Sequence, residues 1–272
     1  MTPVSTVERR APRRRRSTSS TRAEPPLHTV VEAVLLVVAG YFAGLIGYVT
    51  GLASLVSYPA LLAVGLPPVA ANVTNTVSLV AVGIGSTAGA GKSVLHHGRR
   101  LWWWVLLSAV GGAIGAALLL NTSPDSFAAA VPALIVLACL ALLAQPTLRR
   151  LAGGREFPGI YAIALLLIAV YGGYFGAGAG VVFLAATLMC TAEPLWRASI
   201  LKSLMLGVAN LVAAVWFALT GPVDWPAAAA MAVGCLLGGR TGPPVVAHLP
   251  ERPLRIGVAL AGFGLAAWLW AR

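Results

Sequence analysis

Three groups of residues in this chain have the types and spacing to do chemistry. Residues 71–78 read Ala-Asn-Val-Thr-Asn-Thr-Val-Ser, which places Asn72, Thr74, Asn75, Thr76 and Ser78 within two turns of a helix. Amide and hydroxyl donors so gathered can replace the hydration shell of an anion without a fixed countercharge. The same residue types also cap helices and bond neighbouring helices to each other, and the sequence leaves both roles open. Residues 196–203 read Trp-Arg-Ala-Ser-Ile-Leu-Lys-Ser. They place Lys202 nearly two turns inside a helix, with Ser203 beside it and Asn210 about two turns further on. A lysine at that depth either snorkels to the interface or faces a polar cavity. Arg197, nearer the helix end, reads as an interfacial anchor. The third group is glycine: Gly176, Gly178 and Gly180 within GYFGAGAG, residues 173–180. They either let two helices pack closely or break a helix at membrane depth. A break would aim the N–H groups and positive dipole end of the next half-helix at a ligand, an arrangement suited to anions.

Other chemistries are poorly supported. The acidic residues are Glu8, Glu24, Glu32, Asp125, Glu156, Glu193, Asp224 and Glu251, and none sits in the middle of an apolar segment. That argues against a carboxylate proton relay or a buried cation site. The histidines, His28, His96, His97 and His248, all lie near segment ends, which disfavours a deep Ser-His-Asp triad. His96 and His97 with Asp224 form the one cluster an interfacial enzyme would use. Gly89-Ala-Gly-Lys-Ser93 looks like the end of a phosphate-binding loop, but Ser86 stands where that loop needs its first glycine and no strand precedes it. Gly176-x-Gly-x-Gly180 follows a membrane helix, so it is not a dinucleotide fingerprint. Cys139, Cys190 and Cys235 have no Cys or His at ligand spacing and read as small buried hydrophobes. No metal, disulfide or cofactor is expected.

The elements that carry these residues are membrane helices. Hydrophobic residues make up 58% of the chain and charged residues 10%, less than half the charged share of an ordinary soluble domain. The apolar runs do not alternate with polar residues as barrel strands do. The fold class is therefore all-α: a polytopic transmembrane helical bundle. Apolar segments fall at about 29–48, 51–65, 70–91, 101–120 and 126–145, then 159–175, 176–190, 196–219, 225–246 and 254–270. The formal charge of +11 does not point to nucleic acid, because the basic residues sit in the first 22 residues or flank apolar runs. Residues 1–28, rich in Arg, Ser, Thr and Pro, read as a disordered tail on the cytoplasmic side.

Both sets of segments run long, short, long, long, long, so the chain divides into a first repeat, 29–145, a cytoplasmic linker, 146–158, and a second repeat, 159–272. Gly40-Tyr41-Phe42 pairs with Gly173-Tyr174-Phe175. Charge places the tail, the connection 92–100 and the linker on the cytoplasmic side, and the loop 121–126 outside. That needs an even number of crossings per half. The 51–65 segment reaches only about 22 Å at 1.5 Å per residue, short of a core of about 30 Å. About eight full crossings plus two short or re-entrant segments are expected. Even crossings make the repeats parallel; if both short segments cross, the repeats are inverted.

The stretches GLASLVSYPALLAVGLPPVAANVTNTVSL (51–79), GGYFGAGAGVVFLAATL (172–188) and EPLWRASILKSLMLGVANLVAAVWFALTGPVDW (193–225) resemble the sulfite exporter TauE/SafE family of membrane permeases. The resemblance covers residues 30–270. One departure is Gly47-Tyr-Val-Thr-Gly51, where many members carry a denser glycine cluster. The resemblance implies a permease in the bacterial plasma membrane, not an enzyme, whose partners are the lipid bilayer and a small anion such as sulfite, thiosulfate or a sulfonate. The substrate would sit between the repeats, held by Asn72, Thr74, Asn75, Thr76, Lys202, Ser203 and Asn210 and by the glycine breaks. The half-helix after Gly176 is expected to face it most closely. Self-association into a homo-oligomer is compatible with this class. The alternative is an integral-membrane subunit or enzyme without transport activity.

Overall fold

The computed structural model describes residues 30–88, 98–151, 156–246 and 251–271. The tail, Lys92, His96, His97, His248 and residues 152–155 of the expected linker lie outside them. The described residues form ten helices and no strand: α1 Val30–Thr50, α2 Ala53–Ala63, α3 Pro68–Ala88, α4 Arg99–Asn121, α5 Pro124–Leu151, α6 Pro158–Tyr174, α7 Ala179–Cys190, α8 Leu195–Thr220, α9 Trp225–Val246 and α10 Glu251–Trp270. Each expected apolar segment is one helix. Four spans are long and apolar enough to cross a membrane, in α1, α4, α5 and α8. The largest difference in bounds is at α5, which runs past Gln145 through Pro146 to Leu151, so much of the expected linker is helical.

Proline opens α3, α5 and α6, where its fixed φ suits the first turn and its missing N–H leaves no bond unmade. Glycine does the opposite at the turns. Gly51 (φ 75°) separates α1 from α2, and Gly176 and Gly178 (φ 74° each) separate α6 from α7. These left-handed conformations are accessible to glycine at little steric cost.

Helix contact is made through small residues. In lipid, apolar burial gives no drive for one helix to meet another, so close backbone packing carries the association. A methyl at Gly40 would overlap Met231, and one at Gly44 would overlap Cys235 and Gly239; from the other side, Gly234 abuts Val37 and Tyr41, and Gly238 abuts Tyr41 and Leu45. The numbers rise together, so α1 and α9 run in the same direction. Likewise Gly111 abuts Leu166 and Val170, and Gly115 abuts Val170 and Tyr174, so α4 runs with α6.

Polar bonds extend this reading to α3. The Asp224 N–H donates to Thr74 Oγ1 at 3.0 Å, and Ser78 Oγ donates to Ala228 O at 3.2 Å. Hence α3 also runs with α9, and therefore with α1. The intervening α2 must carry the chain back, so α1 and α2 form a hairpin. A second hairpin is bonded from base to tip. The Phe157 N–H donates to Cys190 O at 2.9 Å, the Tyr161 hydroxyl meets Thr187 Oγ1 at 3.1 Å, and Tyr171 Oη donates to Ala177 O at 2.7 Å. Helix α7 thus returns along α6 and ends beside its start.

Helix α8 runs against α3, since Gly221 at its end abuts Val73 while Gly207 faces Gly83. The first hairpin therefore starts on the face where α3 starts, the α1 face. The second starts on the opposite face, the α6 face. This differs from the arrangement expected from charge. An even number of crossings per half needs α1 and α3 to run oppositely, and they do not. Helix α1 starts on one face and α4 starts on the other, which an even number of crossings between them does not allow.

Candidate functional site

The tips of the two hairpins meet in the interior. Gly51 and Gly180 touch reciprocally: a Cβ on Gly51 would lie 2.6 Å from Gly180 Cα, and one on Gly180 would lie 2.5 Å from Gly51 Cα. Beside this contact is a small cavity of about 60 Å³, enough for a few waters, since one water needs roughly 10–15 Å³. Gly47, Gly51 and Ser54 line it from the first hairpin, and Gly172, Phe175 and Gly176 from the second. Helix α3 contributes Thr76, Leu79 and Gly83, and α8 contributes Lys202, Ser203 and Asn210.

Lys202 is the one charged residue in the lining and is 1% exposed, so it does not snorkel to the interface. No acidic residue lines the cavity among the described residues. A cation held at low dielectric exerts a stronger field than one in water, and neutral donors around it add directional bonds. Thr76 Oγ1 donates to Asn72 O at 3.0 Å and Ser203 Oγ to Ser199 O at 3.0 Å, each within its own helix. Both hydroxyls keep lone pairs for a further donor, and each can rotate to donate elsewhere.

Asn72, Thr74 and Asn75 do not line the cavity and bond to neighbouring elements. Asn72 Nδ2 donates to Tyr174 O at 2.8 Å, fixing α3 to the end of α6. Thr74 accepts from the start of α9, and Asn75 Oδ1 accepts from Ser57 Oγ at 2.5 Å, tying α3 to α2. Of the four polar residues expected from this segment, only Thr76 lines the cavity. The glycines also divide. Gly176 lines it, whereas Gly178 packs against Ala138 of α5 and Gly180 against Gly51. The half-helix whose start lines the cavity is consequently α2, through Ala53 and Ser54, and not α7. The reason is the turn: positive φ at Gly176 and again at Gly178 swings the start of α7 over to α5. The cap of α2, Leu52, offers no side-chain acceptor to the first-turn N–H groups.

Sequence reasoning missed Gly47, Gly51, Ser54, Gly83 and Phe175. A signal existed for the glycines, because Gly47 and Gly51 have the spacing of Gly176 and Gly180. At the departure at residues 47–51, Gly47 and Gly51 still line the cavity.

Arg197 lies in the first turn of α8: its Nη1 donates to Glu193 Oε2 at 3.0 Å and its guanidinium lies 4.8 Å from the Trp196 ring centre. Cys139 and Cys235 are buried free thiols, and no group of three metal-ligating side chains is present among the described residues.

A family model described as "Sulfite exporter TauE/SafE" matches residues 36–269. Similar curated proteins include the "Probable membrane transporter protein YfcA" of Escherichia coli strain K12, 27% identical over 245 residues, covering 88% of this chain and 91% of that protein. The YfcA proteins of strains CFT073 and O157:H7 match to the same extent. No solved structure matches.

Proposed function

The chain belongs to the sulfite exporter TauE/SafE family, a membrane transporter family, and on that premise we propose that it is a secondary transporter of small sulfur-containing or organic anions such as sulfite, thiosulfate or sulfonates. The observation that carries this reading is Lys202, 1% exposed and set among Thr76, Ser203 and Asn210 in a cavity without a carboxylate. Anion uptake into proteoliposomes tests it. Wild type is expected to move sulfite or a related oxyanion, and Lys202→Ala to lose at least about tenfold in initial rate at matched amounts of folded protein, a transfer-barrier change of about 1.4 kcal/mol. Equal rates would remove Lys202 from the site.

Alternating access between two inverted repeats is the mechanism we infer. Its support is the way contacts repeat with the halves exchanged. The α1–α9 contact recurs as α6–α4, with Gly44 against Cys235 matched by Gly173 against Gly112. Gly51 meets Gly180, and Gly83 meets Gly207, each as reciprocal pairs. This register aligns Gly44 with Gly173 and Gly51 with Gly180, one helical turn from the Gly-Tyr-Phe match read in the sequence. Each face also has a cleft. One lies between the α2–α3 and α8–α9 turns, around Leu66 and Pro222; the other lies between the α7–α8 turn and the starts of α4 and α6, around Glu193 and Arg100. A site between two such clefts is what inverted-repeat carriers use.

We place the α6 face in the cytoplasm of a bacterial plasma membrane. Arg99, Arg100, Arg149, Arg150, Arg240, Arg252 and Arg255 adjoin helix ends there, against Arg13 to Arg16 and Arg22 ahead of α1 in the sequence. Basic residues close to helix ends count most in setting orientation. The tail is then external, contrary to its placement by its own arginines.

A further inference from the structure

Two buried polar atoms behind the cavity have no partner: the Tyr58 hydroxyl and Asn72 Oδ1, on residues 1% and 0% exposed. In a membrane interior such atoms are expensive to strand, and their presence asks for an explanation. Their positions supply one. On α3, residues 72, 76, 79 and 83 form one stripe at helical spacing, and the last three line the cavity. On α2, Ser54 and Tyr58 lie one turn apart; Ser54 lines the cavity, and Gly65, in the turn that follows the helix, lines the cleft of about 680 Å³ on the α1 face. Along both helices the stranded atoms thus stand between cavity and cleft. Phe175 closes the gap. Phe175 is 2% exposed and lines the cavity, and its ring packs edge-on to Tyr58 at 5.4 Å and to Phe127 at 6.0 Å. Its backbone caps α6 immediately before Gly176, whose positive φ marks the turn.

We propose that the α2 and α3 stripes line the anion's path from the cavity to the α1 face, that the Phe175 ring is its closed gate, and that Tyr58 and Asn72 form a second polar station occluded behind it. The station suits a hydrated or protonated small anion. Asn72 Oδ1 accepts from a water or acidic hydroxyl, and Tyr58 donates to an oxygen of the passing ion. This rests on the transport reading above and adds the route and the gate.

Thiol labelling tests the gate without requiring transport. A single cysteine at Thr76, in a chain with Cys139, Cys190 and Cys235 replaced by alanine, is exposed to a charged, impermeant methanethiosulfonate in membrane vesicles of either orientation. Phe175→Ala is expected to speed labelling from the α1 face at least tenfold and leave labelling from the α6 face unchanged, while Phe175→Leu stays near the parent rate. An unchanged rate from the α1 face, or an equal rise from both, overturns the gate. For the station, Tyr58→Phe is expected to keep or raise the melting temperature yet slow sulfite flux at least fivefold; unaltered flux overturns it. If the unmodified protein moves no sulfur oxyanion, the transport reading fails, and labelling still decides whether Phe175 closes this route.

Discussion

At the scale of single residues, small neutral polar side chains serve two ends. Asn72 bonds across to Tyr174 O, whereas Ser203 bonds only within α8 and lines the cavity. Asn72→Ala removes an interhelical bond, worth roughly 0.6–2 kcal/mol in a membrane, and is expected to lower the melting temperature in detergent. Ser203→Ala is expected to leave melting within about a degree and to reduce anion flux several-fold. A fall in melting for Ser203→Ala as large as that for Asn72→Ala would show that Ser203 serves the fold. The sequence singled out Lys202 because a lysine so far inside an apolar run must either snorkel or find a polar neighbourhood; its burial beside the cavity decides between them only with the fold in hand. The division among Asn72, Thr74, Asn75 and Thr76 was not legible in the sequence, because an amide or hydroxyl that bonds a neighbouring helix has the same spacing as one that faces a cavity.

At the scale of elements, all ten helices were visible as apolar segments, since a membrane helix must satisfy its own backbone and leaves an unbroken apolar run. The direction of the short ones was not. It depends on the turns at Gly51 and at Gly176–Gly178, and on which helix each glycine meets, a long-range matter that charge at the loops misjudged. The turns can be tested against each other. Gly51 and Gly65 both have positive φ, but Gly51 is closed in by Gly180 and Gly65 faces open space. Gly65→Ala is expected to lose about 1–2 kcal/mol, the penalty of a left-handed alanine. Gly51→Ala adds overlap, a further ~1–3 kcal/mol, and is expected to abolish a monodisperse peak in detergent size exclusion. Equal behaviour of the two variants would mean that the hairpin tips are not in contact.

At the scale of the whole molecule, the directions of α1, α3 and α8 put the start of α1 and the start of α4 on opposite faces. Cysteines introduced at Thr2 and at Gly98 are expected to react with an impermeant reagent from opposite sides, the former from outside the cell; reaction of both from one side would refute the inverted arrangement. The α1–α9 contact also has a consequence in time. At about 5–20 residues per second, Met231 is made on the order of ten to forty seconds after Gly40, the glycine it packs against. For that interval the glycine flank of α1 lacks its α9 partner. The α4–α6 flank is matched far sooner, because its partners are neighbours in the chain. The ribosome therefore delivers the α4–α6 groove early and the α1–α9 groove late, with only α10 still to be made.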